Sequence, residues 1–389
     1  MTTVDLRAES LVARAQRVAD EVAAPAADEV DRDARFPAEA VDALRVEGLL
    51  ASLVPTHLGG GGASIAEIAD VVAALGSACA STAMVYAMHQ IQVACLVRHG
   101  GTAAIDAYLR DVATDGLLLA SATSEVGIGG DVRSSSCAMI RVGDRVHLQK
   151  EAPVISYGEH ADAILTTARR TPDSPPSDQV LVVCRRPHVR LERRGEWDTL
   201  GFRGTCSNGF LLVADDDAAY VLPDSFGDIS SQTMLPTSHI VWSSVWLGIA
   251  AAAVDRARRF VQSAARKTPG TTPPAALHLA ELVARHQQLV DLVQGTTRRY
   301  DETWIADDRE AVGSISFAIE MNALKVSASE LVVDVVQRAL HICGMAGYRN
   351  DSPYSLGRLL RDAQGAALMV NNDRIIANNA QLLLVHRGR

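Results

Sequence analysis

The feature that most constrains this chain is a double change of texture along it. From Val4 to about Leu118 apolar residues recur at helical spacing, and from Leu119 to about Leu222 the pattern becomes short runs such as "RVHLQ", "AILTTARR" and "QVLVVCRR". From about Thr233 onward helical spacing returns, as in "LVARHQQLVDLV". A single sheet or a single bundle cannot satisfy both periods. The order predicts an α+β multidomain protein with sections at 1–118, 119–228 and 229–389, of which the first and last are helical and the middle one is β-rich.

Local signals refine this plan. "FPAEAVDALRVEGLL" starts after a Pro suited to a helix's first turn and stops near Gly48. "SIAEIADVVAALGSACASTAMVYAMHQIQVACLVRHG" reads as two long apolar helical stretches. Four consecutive glycines, 59 to 62, precede them and read as a hinge. "TPDSPPSD" is a turn-dense loop between two strands. "RKTPGTTPPAA" interrupts the last section, which predicts two pairs of long helices joined near Pro269 to Pro274.

Composition excludes several functions. The 389 residues are 48% hydrophobic, 21% charged and 4% aromatic, which suits a mostly helical folded protein. A net charge of -9 without a Lys/Arg run argues against nucleic acid or an anionic membrane surface, and leaves a small-molecule partner. Six cysteines without a CxxC pair or a His at ligand spacing predict buried thiols in a reducing cytoplasm and no metal. The N-terminus lacks a signal-type apolar core, so a cytoplasmic location is expected. "IVWSSVWLGIAAAAV", Ile240 to Val254, is shorter than the ~20 residues of a membrane span and reads as a buried helix.

Each motif has a bland reading. "SEVGIGGD", Ser124 to Asp131, suits an anion or a flat polar ring edge through glycine-permitted close approach, and by itself is a β-turn. "VISYGEHAD" places Ser156 at the end of a β run, where turn capping is the simple role. "WDTLGFRGTCSNGFLL" alone is a hairpin. His89, His239, His286 and His341 lie in apolar helical stretches typical of core or interface histidines. No G-x-S-x-G elbow or Ser/His/Asp order suggests a hydrolase.

Taken in order, these strings resemble the acyl-CoA dehydrogenase family over almost the whole chain, from "FPAEAVDALRVEGLL" to "GMAGYRNDSPYSLGRLLRDA". The strings closest to the family's wording are "WDTLGFRGT" and "RLLRDA". The resemblance implies an N-terminal helical domain, a middle β-barrel-like domain and a C-terminal four-helix bundle. It also implies FAD between the last two domains, in a homodimer or homotetramer. By position, Ser121, Thr123, Ser124 and Gly130 would line the flavin and substrate. Val154, Ile155 and Ser156 would meet the isoalloxazine, where Ile155 and Ser156 offer backbone and hydroxyl, and Val154 stands in an aromatic's place. Arg266 and Thr268 would reach the partner's FAD pyrophosphate, with Pro269 in an aromatic's place. His341 and Gly344 fall in the dinucleotide-contacting turn, and Asn372 is a further cofactor contact. His341 replaces a common Gln, Met345 a Gly, and Gly130 a common Ser.

One implied residue is missing. The family's usual base is a Glu at the place held here by Val370, and the alternative site on the first bundle helix holds Ser238, followed by His239. The nearest acid is Asp373, one helical turn on if the helix continues. Asp373 and His239 are thus the candidate bases for α,β-dehydrogenation of an acyl-CoA or carrier-protein thioester, in which α-proton removal accompanies hydride loss. The alternative is a flavin monooxygenase of the same fold, which needs no α-proton base; a non-catalytic flavin- or acyl-binding relative is the third reading. The dehydrogenase wording of "RLLRDA" and "WDTLGFRGT" tips the sequence toward dehydrogenation, with an electron-transfer partner or a flavin reductase.

Overall fold

The computed structural model describes residues 9–127 and 132–386. The first section contains Leu11–Val18 (α1), Ala24–Arg32 (α2), Ala38–Val46 (α3), Ile65–Ala78 (α4), Ala80–His99 (α5) and Ala103–Asp115 (α6). A wider-wound turn at Ala19–Ala23 joins α1 to α2. The start of α4 is a reciprocal cap in which the Ser64 hydroxyl accepts from the Glu67 amide and the Glu67 carboxylate accepts from the Ser64 amide. Extended backbone at Cys79 separates α4 from α5, and α5 is buried almost all round. The glycine run is not a hinge. A Cβ on Gly60 would lie 2.2 Å from the Val54 carbonyl oxygen, and Gly59 and Gly62 have positive φ. The run is a tight turn packed against residues 51–56, with Gly61 and Gly62 donating to the Ala51 and Val54 carbonyls.

The middle section contains Leu119–Ala122 (β1), Ile140–Val142 (β2), Arg145–Ala152 (β3), Ala163–Arg169 (β4), Gln179–Arg185 (β5), Val189–Gly195 (β6) and Gly209–Asp217 (β7). They form two open sheets, β1-β4-β5 and β2-β3-β7-β6, rather than one closed barrel. β3 alternates exposed and buried residues, while β4 and β5 are buried on both faces, as their unbroken apolar runs require. Buried polar groups clamp the sheets together. Lys150 on β3 donates to the Thr167 carbonyl (2.9 Å) and hydroxyl (2.7 Å) on β4. Asp216 on β7 pairs with Arg185 on β5 at 2.6 Å, and that guanidinium lies 3.4 Å from the Tyr220 ring centre.

The last section contains Phe226–Ile229 (α7), Leu235–Lys267 (α8), Ala275–Ile305 (α9), Arg309–Val312 (α10), Ile315–Cys343 (α11), Met345–Tyr348 (α12), Gly357–Gln364 (α13) and Asn372–Val385 (α14). Three helices are long. The fourth member of the bundle, α14, has only 14 residues, because the chain turns from Gly365 to Asn371 instead of continuing α13. α8 packs against α11, α9, α4 and α5, which makes it the common wall of both helical sections. It belongs to the one stretch among the described residues apolar enough to cross a membrane, and 83% of that window is buried inside the protein. All six cysteines are free; five are buried and Cys206 is half-buried.

Candidate functional site

The strand end after β1 and the turn after β3 meet, although some 30 residues separate them. Ser121, Thr123 and Ser124 are half-buried, and the Ser124 hydroxyl donates to the Val154 carbonyl at 3.3 Å. Glu125 fastens this loop. Its buried carboxylate accepts from the Ser135 hydroxyl (2.6 Å), the Cys137 amide (2.8 Å), and the Ser136 amide and hydroxyl. The Lys150 ammonium lies 3.5 Å away. Burial raises the Glu125 carboxyl, but the serine hydroxyls, Lys150 and the Cys137 amide outweigh it and hold the carboxyl below the usual range. Gly130 lies outside the described residues.

Val154 is exposed on the rim, whereas Ile155 is buried. The Ile155 amide donates to the Asn208 carbonyl (2.9 Å) and its carbonyl accepts from the Gly158 amide (3.2 Å), so both backbone groups are committed internally. Ser156 is half-buried, and its hydroxyl meets that of Ser207 at 2.8 Å. Ser207 in turn meets Thr205 at 2.9 Å, and the Thr205 hydroxyl donates to the Phe202 carbonyl at 2.9 Å.

The hairpin carrying Phe202 is bolted to α13. The Phe202 amide donates to the Asp362 carboxylate at 2.7 Å, and a Cβ on Gly201 would lie 2.3 Å from the Arg361 carbonyl oxygen. Only glycine permits that approach. Burial pushes the Asp362 carboxyl up to about 6, against the pull of Arg358 and the Phe202 amide. From the same helix Arg358 donates to Asp28 (3.0 Å) and to the Ala78 carbonyl (3.2 Å), and Arg361 pairs with Asp31. α13 therefore joins all three sections. Beside it runs a groove of about 490 Å³ lined by Leu200, Gln337, Leu340, His341, Leu360, Arg361 and Gln364. His341 and Gly344 are both exposed.

The candidate bases lie in unequal places. The helix does not continue through Val370, whose φ of 45° is a strained value for a β-branched residue. Asp373 is therefore not one helical turn beyond Val370: it lies exposed in the first turn of α14, its amide held by the Asn371 side chain at 2.8 Å. His239 is buried in α8 and pushed down to about 4 by burial. Its Nδ1 lies 3.0 Å from the Met321 carbonyl, so that nitrogen carries the proton and Nε2 is bare. Ser238 donates back to the Met234 carbonyl. What meets the Val370 turn is Lys325, wholly buried on α11. Its ammonium donates to the Val370 carbonyl (2.8 Å) and the Asn372 side chain (2.7 Å), and burial pushes it down to about 8. Asn372 also donates to the Ser329 hydroxyl (3.0 Å), so its side chain serves the fold.

Arg266 and Thr268 stand exposed at the C-terminal end of α8, at the opposite end of that helix from His239. Sequence reasoning missed Glu125, Thr205, Ser207, Lys325 and Asp362. Of these only Glu125 carried a signal, as an acid inside a quoted string with no cation nearby in sequence. The residues present fit a flavin: Ser121, Thr123, Ser124 and Ser156, in the two segments joined by the Ser124–Val154 contact, carry half-buried hydroxyls, Val154 offers an exposed apolar side chain, and the His341 groove offers a donor. Among the described residues no group of three or more His, Cys, Asp or Glu could hold a metal ion.

Comparison with known proteins places these features in context. A family model described as acyl-CoA dehydrogenase, N-terminal domain, matches residues 7–116, and one described as acyl-CoA dehydrogenase, C-terminal domain, matches residues 230–370. Cyclohex-1-ene-1-carbonyl-CoA dehydrogenase of Geobacter metallireducens is 27% identical over 92% of this chain and 92% of its own. Amino sugar nitrososynthase DnmZ of Streptomyces peucetius is 26% identical over 87% of this chain and 84% of its own. In fold, the FMN-bound TdsC structure from Paenibacillus sp. A11-2 superposes with a TM-score of 0.83 at 20% identity, covering 97% of this chain and 98% of the other.

Proposed function

The chain belongs to the acyl-CoA dehydrogenase family, whose usual cofactor is FAD, and on that footing we propose that it is a flavin monooxygenase of this fold. The observation that carries this reading is the Val370 turn. The place of the family's base holds an apolar side chain, its backbone is tied back by Lys325, and neither substitute is suited to the task. Asp373 is exposed at the start of α14. His239 has a bare Nε2, but burial makes its protonated form unfavourable by roughly two to three powers of ten relative to an ordinary imidazole. A reaction without α-proton abstraction needs neither. Reduced FAD would supply activation of O₂ for transfer of one oxygen atom to a carbon, nitrogen or sulfur centre.

The chain's own residues have defined tasks in this reading. Ser121, Thr123, Ser124 and Ser156 present hydroxyls to the ring system, Glu125 keeps their loop closed, and α13 holds the Phe202 hairpin against the seam. His341, Gly344, Arg266 and Thr268 are exposed, as residues would be that serve the dinucleotide of a second subunit in a homodimer or homotetramer. A separate flavin reductase would supply electrons.

Dehydrogenation of an acyl-CoA or carrier-protein thioester is the second reading, supported by the cyclohexene-carbonyl-CoA dehydrogenase relative and by the bare Nε2 of His239. One experiment separates the two. FAD-loaded protein is mixed anaerobically with a panel of acyl-CoA thioesters, then reduced by a flavin reductase and exposed to O₂ with amine, thioether and aromatic acceptors. Oxygenated product without thioester bleaching supports the monooxygenase. Bleaching by a thioester refutes it and selects dehydrogenation.

A further inference from the structure

The three hydroxyls behind the flavin-facing seam form a chain with two possible directions. Each hydroxyl carries one proton. With the Thr205 proton on the Phe202 carbonyl, Thr205 accepts from Ser207 and Ser207 accepts from Ser156. Followed outward, the chain ends with Ser156 donating inward and turning lone pairs toward the seam. In that direction Ser156 is an acceptor toward the seam.

The far end of the chain is built to let go. The Phe202 carbonyl has two lone pairs but three donors: the Thr205 hydroxyl (2.9 Å), the Thr205 amide (3.1 Å) and the Trp197 indole N–H (3.0 Å). A crowded acceptor holds each donor weakly, so the Thr205 hydroxyl can turn away without leaving that carbonyl unpaired. The turn that carries it is itself constrained. Phe202 and Cys206 both have left-handed backbone, φ 50° and 45°, and the Phe202 amide is anchored on Asp362. Thr205 and Ser207 are 3% and 5% exposed, so water does not compete for their protons.

We propose that Ser207 and Thr205 are positioning residues for the flavin, forming with Ser156 a hydroxyl relay whose direction follows the redox state of the ring. This rests on the placement of Ser156 at the flavin edge in the proposed function. An oxidised flavin offers acceptors along its electron-accepting edge, and a reduced one adds an N–H donor there. With the relay running inward, Ser156 accepts from the reduced ring. When the ring is oxidised, Thr205 turns from Phe202, all three protons swing outward, and Ser156 donates. No covalent bond changes; only hydroxyl torsions do. Because the inward direction is the one in which the Phe202 carbonyl receives Thr205, the relay favours the reduced flavin.

The test measures the two-electron potential of bound FAD by dye equilibration in wild type, Ser207→Ala, Ser207→Thr, Thr205→Val and Ser156→Ala, with flavin retention recorded for each. Removing Ser207 frees the Ser156 proton to donate to the oxidised ring. Ser207→Ala is expected to weaken preference for the reduced flavin about tenfold, a fall of about 30 mV, and Ser207→Thr to restore it. Thr205→Val should shift in the same direction. An unchanged potential in Ser207→Ala, with a shift in Ser156→Ala, overturns the relay while leaving Ser156 at the ring. An unchanged potential in Ser156→Ala, or failure of wild type to retain FAD, overturns the placement of the site as well.

Discussion

Replacing Asp362 by Asn isolates a buried charge at the joint of all three sections. Asp362 is 3% exposed, and burial raises its carboxyl from 3.8 to about 6 despite Arg358 and the Phe202 amide. A raised carboxyl means the folded protein keeps a proton that the unfolded chain has released. The stability it contributes is therefore complete below pH 3.8 and is lost as pH rises through about 6. The shift of about two units corresponds to about 3 kcal/mol. Asparagine keeps the oxygen that receives the Phe202 amide and cannot ionise. By pH 5 the wild type has lost roughly half of that amount, so the advantage of Asp362→Asn should grow by a further ~1.4 kcal/mol between pH 5 and pH 7.5. Urea unfolding of both proteins at the two pH values measures it directly. A gap independent of pH, or a variant less stable than wild type at pH 7.5, would refute the argument and show that Asp362 is a carboxylate stabilised by Arg358.

Three further outcomes follow from the geometry. Glu125→Ala leaves the buried Lys150 ammonium without its carboxylate and should cost about 3–5 kcal/mol; adding Lys150→Met should recover the part due to the stranded ammonium in thermal melts, and a single variant that melts like wild type would contradict the clamp. Gly201→Ala puts a methyl 2.3 Å from the Arg361 carbonyl, a backbone clash that should destabilise by at least ~1–3 kcal/mol and lower flavin retention on gel filtration, unless the hairpin docks elsewhere. Val370→Glu restores a carboxylate at the family's base position beside the Lys325 ammonium; at least tenfold faster anaerobic flavin bleaching by an acyl-CoA is expected, and no gain would mean that residue 370 does not face the substrate.

Some of this molecule is local in origin. Helical and strand periods differ enough that the three sections could be read from "IAEIADVVAAL", "RVHLQKEA" and "LVARHQQLVDLV", and the Ser64–Glu67 cap lies within four residues. It was the family resemblance, not the period, that grouped Ser121, Thr123, Ser124 and Ser156, and the structure joins the two strings through Ser124 and Val154. Where local signals were ambiguous they misled. Four glycines look the same whether they are loose or squeezed against Val54, and the apolar "GAALMV" does not reveal that helix α13 ends at Gln364.

The sequence by itself determined the architecture, the family and the absence of a carboxylate at residue 370, because each depends on the period of side chains or the identity of a residue. Only the tertiary structure decided what surrounds that absence. Lys325 reaches Val370 across 45 residues, Asp362 reaches Phe202 across 160, and Ser156 meets Ser207 across 51. Those pairings follow from packing α11 against α14, the turn at Gly201 and Phe202 against α13, and β3 against β7, which brings buried polar groups to partners that no local pattern announces. A buried ammonium, carboxylate or hydroxyl must find a partner, and chain folding selects which one.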